Sequence, residues 1–272
     1  MIGYTYMKIF EILEDSWNLT KKNYKNPLLC AGIISFVVQV IAITLPTLTL
    51  STADILTQKA NLSLLPTIMF IVIQTALLFV STGISYAFLS HSQDIRAIGS
   101  HTLKNFLKII SVVVVTSLVF IPFTVLLEMG SLLQIPQLAL LALTVAVATI
   151  IMGISIALQS APLLILEKNE TIKQALKNSY LLIKTKFIEK TANYIGALFI
   201  AIVVVGLAAF IVGAILSLLS MGITKIMPNL SETHVTTIEN IFKVFSNTVE
   251  QTIMMITSSA ILVTWYKKVT NS

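Results

Sequence analysis

Residues 159–190 read QSAPLLILEKNETIKQALKNSYLLIKTKFIEK and lie between two long apolar segments. Thr171 and Gln174 have the spacing of a capping box, in which each side chain satisfies a backbone N–H group of the first helical turn. Steps of three and four residues then place one set of side chains on a common face: Ile172, Leu176, Ser179, Ile183 and Phe187. The opposite face carries Lys173, Lys177 and Lys184. The pattern predicts an amphipathic helix over 170–188 that lies in the membrane interface, with its lysines against anionic head groups and its apolar side in the acyl boundary.

The composition indicates a polytopic membrane protein. Of the 272 residues, 56% are hydrophobic and only 11% are charged, and the mean hydropathy is +0.91. A soluble domain carries about 25% charged residues. The net charge of +6 therefore reports membrane topology first. No nucleic-acid partner is expected, because the basic residues flank apolar spans without any motif that reads RNA or DNA.

Hydropathy predicts an all-α integral membrane protein that forms a single membrane domain over residues 1–272. A second amphipathic helix is expected over 6–24, with one face formed by Tyr6, Phe10, Leu13, Trp17, Thr20 and Tyr24. Each apolar segment has the roughly 20 residues that a helix needs to cross about 30 Å of hydrocarbon. The six predicted transmembrane helices cover about 27–50, 66–90, 106–127, 136–166, 194–219 and 246–265. The fourth is expected to bend or tilt near Pro162.

The distribution of positive charge predicts the orientation of these helices. If the N-terminus is inside, the connections on the inner side hold all of the lysines and arginines except Lys59, Lys225 and Lys243. This asymmetry predicts a protein of the cytoplasmic (inner) membrane with both termini and both amphipathic helices at the cytoplasmic face. The inner connection over 91–105 is expected to be short and basic, and residues 220–243 are expected to form a polar outer connection.

Two stretches of the chain are similar to each other. Ser16-Trp17-x-Leu19-x-Lys21 matches Ser179-Tyr180-x-Leu182-x-Lys184, and each stretch immediately precedes a span. Spans begin near 27, 106 and 194, which is a period of roughly 80 residues. We interpret this as three helix-hairpin units in the same orientation. The alternative is that any basic interfacial helix before a span produces such a pattern.

Polar groups inside the spans are few, and the most prominent are Gln39, Gln74 and Gln159. These glutamines either form hydrogen bonds between helices or line a groove for a lipid or peptide. No ionisable residue lies at the centre of the first five spans, which argues against a proton-coupled transporter. The histidines lack metal-ligand spacing, and no nucleophile motif or carboxylate pair is present. We therefore expect no metal, no cofactor and no catalytic residue.

The central stretch also resembles a family of membrane proteins. The segment Pro162-Leu-Leu-Ile-Leu-Glu167, followed by Ala175-Leu-x-x-Ser179 and Lys184, is similar to a group of six-span bacterial and archaeal proteins. The group includes the membrane domain ahead of some glycerophosphoryl diester phosphodiesterases and the UPF0259 (YciC-like) inner-membrane proteins. The resemblance implies a stand-alone integral membrane module, and it does not carry over the phosphodiesterase activity, which belongs to a separate catalytic barrel.

Two functional hypotheses follow from the sequence. In the first, the protein is a non-catalytic structural or accessory component whose basic interfacial helices bind anionic membrane lipids, a partner in a membrane complex or a second copy of the chain. The binding residues would be Lys21, Lys22, Lys25, Lys173, Lys177 and Lys184. In the second, it is a transporter or lipid-translocating protein with a polar groove near Gln39, Gln74 and Gln159.

Overall fold

The computed structural model describes residues 2–23, 25–44, 64–132, 136–226 and 232–271, and within these ranges every regular element is an α-helix. The all-α fold class is therefore confirmed. The helices are α1 (Ile2–Asn23), α2 (Lys25–Thr44), α3 (Leu64–Ser90), α4 (Ile95–Leu132), α5 (Gln137–Leu158), α6 (Ala161–Lys168), α7 (Ile172–Lys184), α8 (Phe187–Ile226) and α9 (Glu232–Thr270).

Several helices are long and apolar enough to cross a membrane. Within the described residues, four such segments are Ile71–Ser90, Ile95–Leu118, Ala139–Lys168 and Phe187–Ile223. A fifth crossing is added if α1 and α2, which meet at an angle of 88°, are counted together. The end of the first predicted span, residues 45–50, lies outside the described residues.

The fourth predicted span contains a short break between two helices. α5 ends at Leu158 and α6 begins at Ala161, so the break falls at Gln159 and Ser160. Pro162 lies in the first turn of α6, where its missing N–H group would have had no partner within the helix. α6 then ends at Asn169, whose left-handed backbone (φ 51°) is a common helix stop.

The connection predicted over 91–105 is mostly helical, so that prediction was wrong. α4 begins at Ile95, and the Asp94 carboxylate accepts a hydrogen bond from the backbone N–H of Arg96 at 2.9 Å. A carboxylate at this position satisfies one of the free N–H groups of the first turn. The helix of the third span thus begins about three turns before residue 106, where the span was predicted to start.

The outer connection predicted over 220–243 was also too long. α8 continues to Ile226, and α9 already begins at Glu232. Only residues 227–231 lie outside the described residues here.

The helix predicted over 170–188 is divided into two. α7 ends at Lys184, and Thr185 is extended while Lys186 has a left-handed backbone with φ 58°. α8 begins at Phe187, which therefore does not continue the apolar face of α7.

α9 lies at the centre of the fold, in contact with α1, α2, α3, α7 and α8. Its last turns carry the largest buried side chains, Trp265 and Tyr266, which are 2% and 0% exposed. They pack in one core cluster with Leu163–Leu166 of α6, Ile183 of α7 and Phe88 of α3. The hydrophobic core is thus concentrated where α9 ends.

The same region gathers the ends of most other helices. Trp265 Nε1 donates a hydrogen bond to the Lys190 carbonyl at 3.1 Å, and Lys108 Nζ donates to Asn169 Oδ1 at 2.8 Å. His91, between α3 and α4, lies 3.3 Å from Lys267 Nζ. We call this the basic end: it comprises the end of α1, the starts of α2, α4 and α8, the ends of α3, α6 and α9, and all of α7.

One hydrogen bond joins the quoted central stretch to the last helix. Tyr266 Oη donates to Glu167 Oε2 at 2.5 Å. Burial and this hydrogen bond raise the pKa of Tyr266 well above its usual value, so the phenol keeps its proton and remains the donor.

We expect Tyr266→Phe to destabilise the protein. A hydrogen bond to a charged group contributes about 1.5–3 kcal/mol, and the variant removes it while keeping the aromatic ring. Thermal unfolding in detergent micelles, followed by circular dichroism, should show a lower midpoint for this variant. Tyr180→Phe is the matched control, because Tyr180 is 52% exposed; an equal loss in both variants would contradict a structural role for the bond to Glu167.

Candidate functional site

α7 begins with the capping box that the sequence predicts. The Thr171 hydroxyl accepts a hydrogen bond from the Gln174 backbone N–H at 3.4 Å, and the Thr171 N–H donates to Gln174 Oε1 at 3.3 Å. α6 ends at Asn169, so the turn between α6 and α7 has only a few residues. α7 therefore folds back onto α5 and α6.

The apolar side of α7 is covered by protein. Ala175, Ser179 and Ile183 are fully buried, and the Ser179 hydroxyl donates to the Ala157 carbonyl at 2.6 Å. Ser179 Oγ also lies 2.7 Å from Ser160 Oγ at the break between α5 and α6. The expectation that this side faces the acyl chains was therefore wrong: other helices bury it, and these hydrogen bonds hold α7 in place.

The outer side of α7 is cationic with one aromatic ring. Lys173, Lys177 and Lys184 are exposed, and Tyr180 projects from the same side at 52% exposure. α7 thus presents a combination that suits the head-group region of a membrane, where lysines meet phosphates and the amphipathic ring sits at the boundary.

The predicted apolar face of α1 lies beside the face that other helices bury. Ile9, Ile12 and Ser16 are buried, whereas Phe10 and Trp17 are 61% and 60% exposed. At about 3.6 residues per turn the predicted residues form one stripe of the helix, and the buried residues form the stripe next to it.

A glycine lets α1 approach α8 closely. A Cβ atom on Gly196 would lie only 2.6 Å from Cδ1 of Ile9, far closer than van der Waals contact. α1 therefore packs on α8 and α9 through its Ile9 side, and its aromatic side remains outside.

The two similar stretches have the same burial pattern. Ser16 and Ser179 are both buried and bond to backbone carbonyls. The next residue, Trp17 or Tyr180, is exposed by more than half, and an exposed lysine follows four residues later. In α1 the Lys21 ammonium lies 5.2 Å from the centre of the Trp17 ring, within the range of a cation–π contact.

Both exposed lysine faces lie at the basic end. One face consists of Lys21 and Lys22 of α1 with Lys25 of α2. The other consists of Lys173, Lys177 and Lys184 of α7. All six lysines are exposed. We call these six residues the interfacial lysines. The structure thus brings every predicted lipid- or partner-binding lysine to the same end of the molecule.

Ion pairs and burial shift the pKa values of two groups at the basic end, Lys268 and His91. Lys268 Nζ lies 2.8 Å from Asp15 Oδ2 and 3.4 Å from Glu11 Oε2. Burial lowers the pKa of Lys268, but its bonds to these carboxylates outweigh burial and the pKa lies above its usual value. Burial lowers the pKa of His91, and the charges of Lys267 and Lys22 lower it further. His91 is therefore neutral at neutral pH.

The three predicted glutamines have different surroundings. Gln39 of α2 donates to Gln251 Oε1 at 3.2 Å and accepts from Asn247 Nδ2 at 3.2 Å, which links α2 to α9. Gln159 donates a hydrogen bond to the Tyr194 hydroxyl of α8. The partners of Gln39 could not be identified from sequence spacing, because they follow it by more than 200 residues.

Two of the cavities that flank α3 are lined by predicted glutamines. One, of about 420 Å³, lies between α3, α8 and α9 and is lined by Gln74, Ser81 and Gln251 among apolar side chains. The other, of about 380 Å³, lies between α3, α4, α5 and α6 and is lined by Gln159 together with hydroxyl groups: Ser81, Thr82, Ser85, Thr116, Ser117 and Ser155. Gln74 and Gln159 thus face different cavities, and Gln39 lines neither of them.

Comparisons with protein-family models, with curated protein sequences and with solved structures gave no match. In the ranges that the structure describes, no group of three or more His, Cys, Asp and Glu side chains is arranged to hold a metal ion. The candidate functional features are therefore the interfacial lysines and the cavities flanking α3.

We expect Gln39→Leu to destabilise the protein by about 1–3 kcal/mol, because it removes two interhelical hydrogen bonds and each contributes about 0.6–2 kcal/mol inside a membrane. Thermal unfolding in detergent should show a lower midpoint. Gln74→Leu is the matched control: Gln74 is exposed, and the change should cost less than about 0.5 kcal/mol. A neutral Gln39→Leu would show that the network with Asn247 and Gln251 does not stabilise the fold.

Proposed function

We propose that the chain is a non-catalytic integral membrane protein that binds anionic lipids through the basic outer faces of α1 and α7. One observation carries this proposal: both helices bury one side in the protein and leave lysines and at least one aromatic ring exposed, at the same end of the bundle. A structural or accessory role in a membrane complex is compatible with this activity, because a partner with an acidic surface would recognise the same faces.

The physical basis is electrostatic. Each lysine near an anionic surface contributes about 1 kcal/mol, and side chains held by a packed helix lose less entropy on binding than those of a mobile segment. The apolar side of α7 packs against protein, whereas α1 leaves Phe10 and Trp17 exposed. Charge would therefore act on both helices, and apolar insertion could add to it only on α1. The preference for anionic lipid should therefore weaken as salt is added.

The proposal includes six crossings in three hairpin units, with the basic end in the cytoplasm. α9 is the crossing that hydropathy supports least, since it carries Asn247, Gln251 and Thr252. A helix surrounded by other helices can retain such residues, because they bond to neighbouring helices instead of facing lipid. The central position of α9 and the bond between Gln39 and Gln251 support its inclusion.

Trp17 provides a direct test of lipid preference. The chain has two tryptophans; Trp17 is 60% exposed beside Lys21, and Trp265 is 2% exposed. In vesicles of mixed phosphatidylglycerol and phosphatidylcholine, we expect Trp17 to be quenched more strongly when the anionic lipid is the brominated one. Replacing Lys21, Lys22 and Lys25 by Gln removes about 3 kcal/mol of attraction, so the preference should disappear.

Two matched variants complete this test. Trp17→Phe leaves only Trp265, and its fluorescence should not distinguish the two brominated lipids. Tyr180→Trp in that background moves the probe to α7, where the change of Lys173, Lys177 and Lys184 to Gln should abolish the preference. If Trp17 is quenched equally by both lipids in the wild-type chain, the proposed function is wrong.

A second candidate function is the translocation of a lipid or small solute. The cavities flanking α3 favour it, because they share Leu78 and Ser81 and place Gln74, Gln159 and a row of hydroxyl groups between the helices. Cavities that contain amide and hydroxyl groups could hold a head group during movement across the hydrocarbon.

If this second function holds, vesicles containing the protein should exchange fluorescent head-group-labelled lipid between leaflets faster than empty vesicles. The double variant Gln74→Leu, Gln159→Leu should remove most of this exchange, because each change removes a glutamine amide from the lining of one cavity. Thr144→Leu is the control, since Thr144 is exposed and lines neither cavity. Exchange no faster than in empty vesicles would exclude lipid translocation.

A further inference from the structure

A small cavity at the basic end combines groups from three helices. It has a volume of about 170 Å³ and lies between α1, the first turns of α8 and the last turns of α9. Its charged lining consists of Lys8, Glu11, Lys186, Glu189, Lys190 and Lys268. None of these lysines belongs to the interfacial lysines, so the cavity is a separate feature of the same end.

Two of the four lysines are neutralised within the protein. Lys8 pairs with Glu189, and Lys268 pairs with Glu11 and Asp15. Among the described residues, no carboxylate lies within ion-pair distance of Lys186 or Lys190. The cavity therefore has an excess of positive charge on the side where α8 begins.

Lys186 and Lys190 are held in an arrangement that suits an anion. Lys190 Nζ is fixed by hydrogen bonds to the Leu182 carbonyl at 2.6 Å and to Thr185 Oγ1 at 3.5 Å. Both residues belong to the first turn of the 40-residue α8 or directly precede it. Backbone N–H groups at a helix start lack partners within the helix and attract negative charge.

Lys186 adopts a left-handed backbone, with φ 58°. This conformation is unfavourable for a residue with a Cβ atom, and strained residues of this kind concentrate at ligand sites. Glycine would fit the turn better. Lysine at this position keeps a positive charge beside the cavity, although glycine would adopt this backbone conformation with less strain.

The uncharged residues that line the cavity also indicate a ligand. Asn193 lines the cavity and is 6% exposed, and its buried Oδ1 atom has no hydrogen-bond partner. Trp265 also lines the cavity, but its indole N–H already donates a hydrogen bond to the Lys190 carbonyl. A buried amide oxygen without a partner is costly unless a donor reaches it. The lining thus presents positive charge and one unfilled acceptor.

We propose that this cavity binds the head group of one anionic phospholipid, a phosphodiester that carries a hydroxyl donor, as in phosphatidylglycerol. The phosphate would lie against Lys186, Lys190 and the start of α8, and the hydroxyl group would donate to Asn193. The volume corresponds to roughly five to six water molecules, which suits a phosphate with a short polyol. This inference rests on the proposed lipid-binding function and assigns one specific site to it.

Native mass spectrometry of the full chain in detergent, titrated with phosphatidylglycerol or phosphatidylcholine, tests the assignment. We expect one tightly retained phosphatidylglycerol per chain and no equivalent phosphatidylcholine. Lys186→Gly should lower this retention by about tenfold, since it removes one lysine and its phosphate contact. The same variant should raise the midpoint of thermal unfolding of the lipid-free protein, because glycine relieves the left-handed backbone. Equal retention by Lys186→Gly and the wild type would overturn the proposal.

Two further measurements distinguish lipid binding in the cavity from binding at the α7 surface and from binding of a soluble phosphate compound. The variant in which Lys173, Lys177 and Lys184 become Gln should keep the single retained lipid, because these residues lie outside the cavity. If it loses that lipid as completely as Lys186→Gly does, the site is the α7 surface and the cavity assignment is wrong. Displacement of the lipid by millimolar inorganic phosphate would assign the cavity to a soluble phosphate compound and overturn the lipid assignment. The brominated-lipid experiment tests the surface independently of either result.

Discussion

Two adjacent aromatic residues at the end of α9 determine how the basic end is assembled. Tyr266 bonds to Glu167 at the end of α6, and Trp265 bonds to the backbone of Lys190 in the first turn of α8. The chain between these two partners contains the turn at Asn169 and the whole of α7. The last helix therefore holds both ends of the central stretch, and the orientation of α7 depends on that attachment.

Several residues of the central stretch have structural roles in this chain. Glu167 accepts the Tyr266 hydrogen bond, Ala175 is fully buried, and the Ser179 hydroxyl joins α7 to α5. Pro162 occupies a position where proline costs no hydrogen bond. These residues therefore stabilise the fold of the central stretch.

The local parts of the fold were predictable from the sequence, and the parts that depend on distant contacts were not. The all-α fold class and the capping box of α7 follow from short-range spacing and were confirmed, whereas the bounds predicted around 91–105, 170–188 and 220–243 were not. The face of α1 that the protein buries could not be read from the sequence, because Phe10 and Trp17 form an apolar stripe that α8 and α9 leave uncovered. The pairing of Gln39 with Gln251 and the grouping of Lys8, Lys186 and Asn193 around one cavity arise only when α1, α8 and α9 meet.

The length of α8 has a consequence for the membrane around it. Its apolar segment Phe187–Ile223 has 37 residues, which as a helix measures about 55 Å, whereas the hydrocarbon layer is only about 30 Å thick. The first turns are enclosed by α1 and α9, but the remaining apolar surface still exceeds the thickness of the bilayer. Such hydrophobic mismatch makes a helix tilt steeply or makes the surrounding lipids stretch. The chain is thus suited to thicker regions of a membrane, and it would deform a thin one.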